Sequence, residues 1–451
     1  MKIRSSFVYI LSICFVVTGN LFMSKPSTVS AEQISQFRGP DGNGVYQETV
    51  PTRWSTDDKE SIAWVADVPG SGWSSPVSAA GHIFVTTAVS EDATRPKGFE
   101  GGVRSMGAFF SSKAPNTAYR FEVHCFEEKN GNLVWKKEIS STKPPHKIHP
   151  SNSYATESPV SDGNQVYVYY AAIGVVACLD LSGDVVWQRE IGAYKTGMDF
   201  GTGSSLALHQ GMVFIQCDNE QESFIRALDC KSGEEVWNKK RESRTSWSSP
   251  VIWENSQRNE LLACGTGTIT SYDPSTGKQL WQLNGLGGAF SASPTFDLQR
   301  VYLGQSGRNS RGPLVAVKAG ASGELGIDDL ADPNLGWVVN AAGPGMSSPV
   351  CVDGLVYVLG RGILSCHDGS SGERLYRERI KDASSVTSSL WSVGNEVFTM
   401  NESGETTVIK CGKNFEQART NSLDGLFWST PSSTNDALLV RSVDQLYCIR
   451  K

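Results

Sequence analysis

Hydrophobic and polar positions recur along this chain in a unit of constant design. The unit opens with Ser-Ser-Pro or a close variant, continues with an alternating stretch such as residues 166–170 or 355–359, and passes through a third apolar stretch that ends in an acid. A Gly-marked turn and an aromatic residue four positions after that Gly complete the unit, as in RALDCKSGEEVW at residues 226–237. Because alternation with a period of two is typical of half-buried strands, each unit predicts a four-stranded antiparallel sheet.

The number and spacing of the openings predict the architecture. They occur at residues 74–76, 157–159, 204–206, 248–250, 292–294, 347–349, 388–390 and 429–431. From the second opening onward the spacing is 41–55 residues, which is the usual length of one propeller blade. The first spacing is longer and contains an insertion at residues 89–118. We therefore predict an all-β chain that forms an eight-bladed β-propeller of four-stranded antiparallel blades.

Both ends of the repeat region are expected to share one blade. Trp64 precedes Pro76 by 12 residues, the spacing that also separates Trp337 from Pro349, so Trp64 closes a unit whose beginning is missing nearby. That beginning is found at residues 427–451, which stop before a last strand. Residues 63–66 should therefore lie beside residues 445–449 and close the ring, which hides the sheet edges. The predicted propeller spans residues 62–451, and residues 32–61 form an N-terminal extension.

The aromatic residue of each unit is expected to dock between blades. An acid at the start of the preceding turn can accept backbone hydrogen bonds, and the turn Gly suits a positive φ. A buried Trp contributes on the order of 4–6 kcal/mol of gross hydrophobic free energy, at ~25 cal/mol per Å². This structural role is predicted for Trp64, Trp135, Trp187, Trp237, Trp281, Trp337 and Tyr376.

Two units depart from the design. The seventh has VIKCGKNFEQART at residues 408–420 and lacks a Trp, so its outer strand is the least clearly marked. The fifth places residues 319–336 between its turn and Trp337, which predicts a surface insertion.

Residues 1–31 have the features of a secretory signal peptide. Two basic residues, Lys2 and Arg4, precede an apolar run at residues 7–17, and Val29-Ser30-Ala31 provides a small-residue cleavage site. Because the apolar run is short for a membrane span, we expect cleavage and a periplasmic or extracellular location, with retention as an anchor as the alternative.

The composition excludes some classes of binding partner. The formal net charge is −6, and removal of residues 1–31 takes away three basic and no acidic residues and so leaves −9. An acidic chain without a block of Lys or Arg is unsuited to nucleic acid or anionic lipid. Four of the cysteines share one repeat position with Ala227 and Ser271, which favours free structural thiols over disulfides. These cysteines are Cys125, Cys178, Cys366 and Cys448.

The repeat resembles the tryptophan-docking repeat of eight-bladed propellers of the pyrroloquinoline quinone (PQQ) type. The segment QFRGPDGNG at residues 36–44 is similar to the start of exported PQQ-like repeat proteins of planctomycete bacteria, as are residues 149–155 and 199–205. The resemblance implies the fold across residues 62–451. It does not fix an activity, because such propellers include quinoprotein dehydrogenases, BamB-type envelope scaffolds and many other proteins.

Catalytic patterns are missing from the sequence. Quinoprotein dehydrogenases hold PQQ with Ca²⁺ and usually carry a vicinal Cys-Cys pair, which does not occur here, and neither does a Cys-x-x-Cys-His haem site. His-Glu-x-x-His, a Walker loop and Gly-x-Ser-x-Gly are also missing. We expect no catalytic residues, no metal and no cofactor, with PQQ and calcium belonging only to the alternative of an alcohol or sugar oxidoreductase.

The loops that lead into the first strand of each blade are the best candidate surface. In PQQ-type propellers these loops surround the mouth of the central channel, and a concavity with converging polar and aromatic groups suits a ligand or peptide. The candidate binding residues are His149, Asn152, Tyr154, Glu157, Asp199, Arg244, Trp247, Phe290 and Trp428. We hypothesise a monomeric, exported, non-enzymatic propeller that binds a protein, peptide or glycan through this face. A BamB-type scaffold and a PQQ-dependent oxidoreductase are the alternatives.

Overall fold

The computed structural model describes residues 35–46, 49–57, 60–98, 115–305, 312–383 and 386–451. These residues belong to one compact unit, Gln33–Lys451. The predicted signal peptide at residues 1–31 and most of the insertion at residues 89–118 lie outside the described residues.

The described strands form eight antiparallel blades, as the repeat predicted. Blades 1 to 8 are numbered by their innermost strands, which are Val77–Ala79, Val160–Ser161, Ala207–His209, Val251–Glu254, Thr295–Phe296, Val350–Val352, Trp391–Val393 and Ser432–Ser433. The second strands are His82–Ser90, Gln165–Tyr170, Met212–Cys217, Asn259–Gly265, Arg300–Gly304, Leu355–Gly360, Glu396–Met400 and Ala437–Arg441. The third strands are Tyr119–Glu127, Val175–Asp180, Phe224–Asp229, Thr268–Tyr272, Leu314–Lys318, Ile363–Asp368, Thr406–Lys410 and Gln445–Arg450.

The outer strands carry the docking position. They are Leu133–Thr142, Val185–Glu190, Glu235–Lys240, Gln279–Asn284, Leu335–Val339, Arg374–Arg379 and Gln417–Asn421, with Ile62–Asp67 as the outer strand of blade 8. Ile62–Asp67 pairs antiparallel with Gln445–Arg450, and Ala66 lies opposite Leu446. The predicted closure of the ring by both ends of the repeat region is therefore confirmed.

Two blades carry a fifth strand that the repeat pattern did not predict. Val45–Tyr46 pairs in parallel with the innermost strand of blade 7. Gly323–Gly326 pairs in parallel with the outer strand of blade 4, and Gly323 lies opposite Trp281. The insertion at residues 319–336 is therefore more than the surface loop we expected, because part of it covers a neighbouring sheet edge.

Docking tryptophans join successive blades through their indole nitrogens. In five blades the Trp Nε1 donates a hydrogen bond to a backbone carbonyl in the turn of the next blade. The pairs are Trp64 to Glu128 (2.9 Å), Trp135 to Leu181 (3.0 Å), Trp187 to Cys230 (2.8 Å), Trp237 to Pro274 (2.9 Å) and Trp337 to Gly369 (2.9 Å). The turn glycine permits the contact. At Gly233, with φ +67°, an added Cβ would lie 2.5 Å from the Trp187 ring.

Trp281 and Tyr376 occupy the same position but make other contacts. The Trp281 Nε1 donates to the Glu260 carboxylate of its own blade at 2.6 Å, beneath the added strand Gly323–Gly326. The Tyr376 ring packs edge-on against Phe415 of blade 7, with centroids 5.7 Å apart. The docking residue therefore makes a different contact in those blades for which the turn of the next blade lacks the Asp-x-x-Ser-Gly pattern.

Blade 7 obtains its aromatic ring from the N-terminal extension. Arg419 stands where other blades have Trp, forms an ion pair with Glu396 and donates to the Thr52 carbonyl. Trp54, which is 1 % exposed, stacks on Phe398 with centroids 6.0 Å apart. Phe398 occupies the same position in blade 7 that Phe84 occupies in blade 1, and there Phe84 packs against the docking residue Trp135. The ring missing from the seventh unit is thus supplied from outside the repeat.

A ring of hydroxyl groups lines the inner wall. In six of the eight openings, the second residue accepts, through its side-chain oxygen, a hydrogen bond from the corresponding backbone N–H of the preceding blade. The bonds run from Ser75 to Ser158, Ser158 to Ser205, Ser205 to Ser249, Ser249 to Ser293, Ser293 to Ser348 and Ser389 to Thr430, at 2.8–3.0 Å. The Ser75 hydroxyl links blade 1 to blade 8 by donating to the Thr430 carbonyl at 2.7 Å, and the Leu390 amide links blade 7 to blade 6 by donating to the Ser348 carbonyl at 3.1 Å. The repeated Ser therefore makes a bond between blades.

The N-terminal strap, defined as residues 35–46 and 49–57, crosses one end of this ring. It bonds to innermost strands or openings of seven blades, through the pairs Ser35–Ser78, Ser35–Ser161, Gln36–Leu208, Arg38–Pro294, Arg38–Pro349, Gly44–Ser392 and Tyr46–Pro431. Arg38 is fully buried and donates to the Pro294 carbonyl at 2.7 Å. Burial lowers the pKa of its guanidinium to about 10. The strap therefore covers the channel end that lies beyond the Pro of each opening.

The nine described cysteines are all free, as the shared repeat position predicted. Among the described residues, no helix has the length and apolar character of a membrane span. The helical content described is a three-residue 3₁₀ turn, Gly197–Asp199.

Candidate functional site

The opening loops lie on the opposite side of the hydroxyl ring from the strap. In each opening the chain runs from the loop through the two small residues to a Pro or Leu and then to the innermost strand, and the strap bonds to Pro carbonyls and to the strands. The candidate residues precede the hydroxyl ring, as Glu157 precedes Ser158 and Trp247 precedes Ser249. The end of the channel formed by these loops is called the mouth.

Aromatic side chains from consecutive opening loops form a connected band at the mouth, here called the aromatic arc. Trp428 stacks on Trp73 with centroids 5.5 Å apart, and Trp73 Nε1 donates to the Ser151 carbonyl at 2.9 Å. The arc comprises Trp428, Trp73, His149, Phe200 and Trp247, one from each opening loop of blades 8, 1, 2, 3 and 4.

The second half of the arc is joined by ring contacts. His149 lies 5.4 Å from Phe200, and Phe200 meets Trp247 edge-on at 5.7 Å. The Trp247 amide donates to the Phe290 carbonyl at 2.7 Å, which links the arc to blade 5. Trp428, Phe200 and Trp247 are half-buried, so part of each ring faces out of the mouth.

Four of the predicted binding residues do structural work instead of facing outward. Asn152 donates to the carbonyls of Phe200 (2.9 Å) and Thr202 (3.1 Å), so it fixes the next opening loop. Tyr154, Phe290 and His149 are buried, at 6 %, 1 % and 4 % exposed, and the His149 ring bonds to the Ser151 hydroxyl of its own loop. Sequence position placed these residues in the opening loops, but it did not distinguish side chains that brace a loop from those that project from it.

The loop between blades 2 and 3 exposes a side chain that the sequence analysis did not predict. Met198 and Asp199 both have positive φ, at 52° and 54°, and Met198 is 71 % exposed. Asp199 lies near two lysines, with Lys147 Nζ at 3.2 Å and Lys195 Nζ at 3.8 Å. Trp247 Nε1 donates to the Gly201 carbonyl at 2.6 Å, which anchors the loop from its far side. The sequence analysis did not include Met198 among the candidate residues, because nothing in the amino-acid sequence indicates that this side chain is exposed.

Charged groups at the mouth differ sharply in burial. Arg244 is highly exposed and lies 3.8 Å from Glu220, so it is free to reach a partner. Glu402, also missed by the sequence analysis, is buried and accepts a hydrogen bond from Trp428 Nε1. This bond holds the Trp428 ring over Trp73.

Glu157 is fully buried at the opening of blade 2. Neither carboxylate oxygen has a hydrogen-bond partner within the described ranges. Burial raises the pKa of this carboxyl to about 7, and the nearby Thr202 hydroxyl and backbone amides oppose that rise only in part. The other openings have Ser or Ala at this position.

A calcium-bound quinone does not fit the described residues. Ca²⁺ takes six to eight oxygen ligands, commonly from several carboxylates. The described part of the chain contains no group of three or more His, Cys, Asp or Glu side chains placed to hold a metal ion. At the mouth, Asp199 is paired with lysines, Glu220 with Arg244 and Thr245, and Glu402 with Trp428, so these carboxylates do not converge with Glu157 on one point.

Comparison with protein families matches residues 41–216, 119–289 and 172–413 to the family described as outer membrane protein assembly factor BamB. A curated protein of that name from Moranella endobia (strain PCIT) is 28 % identical over 128 residues, which are 28 % of this chain and 29 % of that protein. This chain thus spans less than a third of the length of that relative.

Solved structures share the fold. BamB from Moraxella catarrhalis superposes with a TM-score of 0.52 at 14 % identity, covering 72 % of this chain and 91 % of that chain. Quinohemoprotein alcohol dehydrogenase from Comamonas testosteroni gives a TM-score of 0.55 at 12 % identity, covering 89 % of this chain and 78 % of that chain. One of these neighbours is named as an enzyme and the other is not, so the shared fold leaves activity to be argued from the site.

Proposed function

This chain belongs to the family of the outer membrane protein assembly factor BamB, and on that premise we propose that it is an exported, non-enzymatic propeller that binds a protein or peptide through its mouth. The aromatic arc carries the proposal. Half-buried Trp and exposed Met and Arg side chains on braced loops are the residue types that dominate protein interfaces.

The closed end of the channel supports this choice of face. The strap already occupies the inner strands beyond the hydroxyl ring, so that end offers few backbone groups to a partner. The mouth has no comparable cover among the described residues. Its loops are held by Asn152, Thr245 and Trp247, so little loop ordering would be lost on binding.

The family name favours a scaffold role in envelope assembly as the specific form of this function. A scaffold needs only a stable binding surface, and the mouth has aromatic anchors without a metal cluster among the described residues. An oxidoreductase is the less favoured alternative, because the described residues do not supply ligands for calcium and a quinone.

Site-specific crosslinking in the native envelope tests the proposal. A photoreactive residue replacing Met198 or Arg244 should capture a defined partner, whereas one replacing Val236 on the outer rim, which is 49 % exposed, should not capture it. Trp247→Ala should weaken capture at least tenfold while the fold is retained. Equal capture from the outer rim, or unchanged capture by Trp247→Ala, would show that the mouth is not the binding face.

A further inference from the structure

Three buried polar side chains at the opening between blades 2 and 3 have oxygen atoms without partners in the described parts of the chain. They are both carboxylate oxygens of Glu157, the hydroxyl of Tyr169 and the hydroxyl of Ser204. All three side chains belong to residues no more than 8 % exposed. Buried polar atoms in native proteins are rarely left unpaired, because each one loses the hydrogen bonds it made to water.

These groups lie side by side. Glu157 and Ser204 occupy the same position in neighbouring openings, and the residues that follow them are joined by the bond from the Ser158 amide to the Ser205 hydroxyl, at 2.9 Å. Tyr169 is on the second strand of blade 2, and the charge of Glu157 is among the causes that raise the pKa of its phenol. The Cys217 thiol lies beside the Tyr169 hydroxyl, and burial raises its pKa to about 11, so the thiol stays neutral and adds no charge to the cluster.

The composition of the cluster selects one kind of ligand. It offers a carboxylate and two hydroxyl oxygens as acceptors, and a primary ammonium group has three N–H donors and one positive charge to match them. A divalent metal would need more carboxylates than this one. A buried carboxylate without a counter-charge costs several kcal/mol, so a cation that fits would be strongly favoured.

The cluster comes nearest to the surface on the side of the mouth. The Thr202 hydroxyl and the Thr156 backbone lie against the Glu157 carboxyl, and both residues are only half-buried. A Cβ placed on Gly203 would lie 3.4 Å from the Trp247 ring, so a ligand that passes beside Gly203 touches the aromatic arc. An alkyl chain packed on Trp247 could therefore carry an ammonium group to the carboxylate.

We propose that Glu157, Tyr169 and Ser204 bind a primary ammonium group, and that in the cell this group is a lysine side chain or an amino terminus of the partner. Only the identity of the carrier rests on the proposed function. The ammonium site itself can be tested on the full chain without any partner.

Methylammonium is the probe, with tetramethylammonium at equal ionic strength as the matched control because it has the charge but no N–H donor. Saturation transfer from the protein to the methyl protons should be seen for methylammonium and be at least fivefold weaker for tetramethylammonium. A thermal scan should show a concentration-dependent rise in Tm of about 1–2 °C at saturating methylammonium. Nα-acetyl-lysinamide and alaninamide then distinguish a side-chain from a terminal ammonium.

Two variants make the outcome decisive. Glu157→Gln removes an uncompensated charge and should fold, and it should abolish both signals, whereas Glu234→Gln, in the exposed turn after the third strand of blade 3, should leave them unchanged. Equal signals from the two ammonium salts, or signals that persist in Glu157→Gln, would overturn the proposal, and so would a larger Tm rise with Na⁺, K⁺ or Ca²⁺. If the ammonium signals fail while crosslinking at residue 198 still captures the partner, the proposed function stands and the ammonium site does not.

Discussion

The two ends of the channel satisfy their polar groups in opposite ways. At the strap end, buried carbonyls of several blades are paired by the chain itself, and Arg38 alone serves Pro294 and Pro349. At the mouth, Glu157 and Tyr169 are equally buried but have no such partners among the described residues. Arg38 Nε and Trp54 Nε1 at the strap end also lack partners in the described ranges, so the two ends differ in the kind of group left unpaired. At the mouth it is a carboxylate, which costs more to bury than a neutral polar atom.

The largest expected effect tests whether the strap is part of the fold. Trp54→Ala should lower the free energy of unfolding by about 3–5 kcal/mol, because it leaves a cavity against Phe398 in a fully packed core. Denaturant unfolding measures the loss. Trp54→Phe, which keeps a ring, should cost much less, and a loss below about 1 kcal/mol for Trp54→Ala would mean that blade 7 does not depend on the strap.

A change of similar size in the free energy of unfolding should appear as the pH is varied, because of Glu157 at the mouth. The pKa of Glu157 is raised to about 7 in the folded state, against 4.5 for an ordinary Glu. The unfolded chain therefore ionises first as pH rises, and stability falls between pH 4.5 and 7 by about 3 kcal/mol, remaining low above that window. Glu157→Gln should match the wild type near pH 4.5 and exceed its stability at pH 8.

The difference between the two unfolding profiles isolates this carboxyl from other titrating groups. Arg244→Gln, which changes an exposed charge at the same face, should give a nearly flat difference profile. A flat profile for Glu157→Gln as well would show that the carboxyl is solvated or paired in solution.

A pair of tyrosines compares the two ends directly. Tyr46 donates its hydroxyl to the Pro431 carbonyl, so Tyr46→Phe should destabilise by about 1–2 kcal/mol. Tyr169→Phe removes a buried hydroxyl whose neighbour is the Cys217 thiol, a weak hydrogen-bonding group, so it should be neutral or stabilise by up to about 1 kcal/mol. If both variants lost the same amount of folding stability, the proposed difference in hydrogen bonding between the two ends of the channel would be wrong.

The fold could be predicted from sequence because its signals are local and repeated. The spacing of Gly233 and Trp237, or of Ser248 and Pro250, is sufficient to mark a turn and an opening, and eight repetitions remove the ambiguity of any one unit. The position of Trp64 also predicted the closing strand, which the pairing with Cys448 confirms.

The strap and the details of the mouth could not be predicted in the same way. Trp54 lies outside the repeat, and its contact with Phe398 joins positions far apart in the chain, which no local pattern encodes. Likewise, nothing in the sequence distinguishes Asn152, which braces a loop, from Met198, which projects from one. Such distinctions depend on tertiary packing, and they decide which of the predicted residues can meet a ligand.

The smallest effect on stability should accompany a clear effect on binding. Met198 is 71 % exposed, so Met198→Ala should change the free energy of unfolding by no more than about 0.5 kcal/mol. If the mouth is the binding face, the same variant should weaken partner binding severalfold, since exposed Met side chains on braced loops lose solvent-accessible area on docking. Leu330→Ala, at an equally exposed position on the blade 5 insertion, is the control and should leave binding unchanged. Equilibrium binding measured on both variants separates the two surfaces, and equal losses would mean that the contrast between the ends of the channel does not determine where the partner docks.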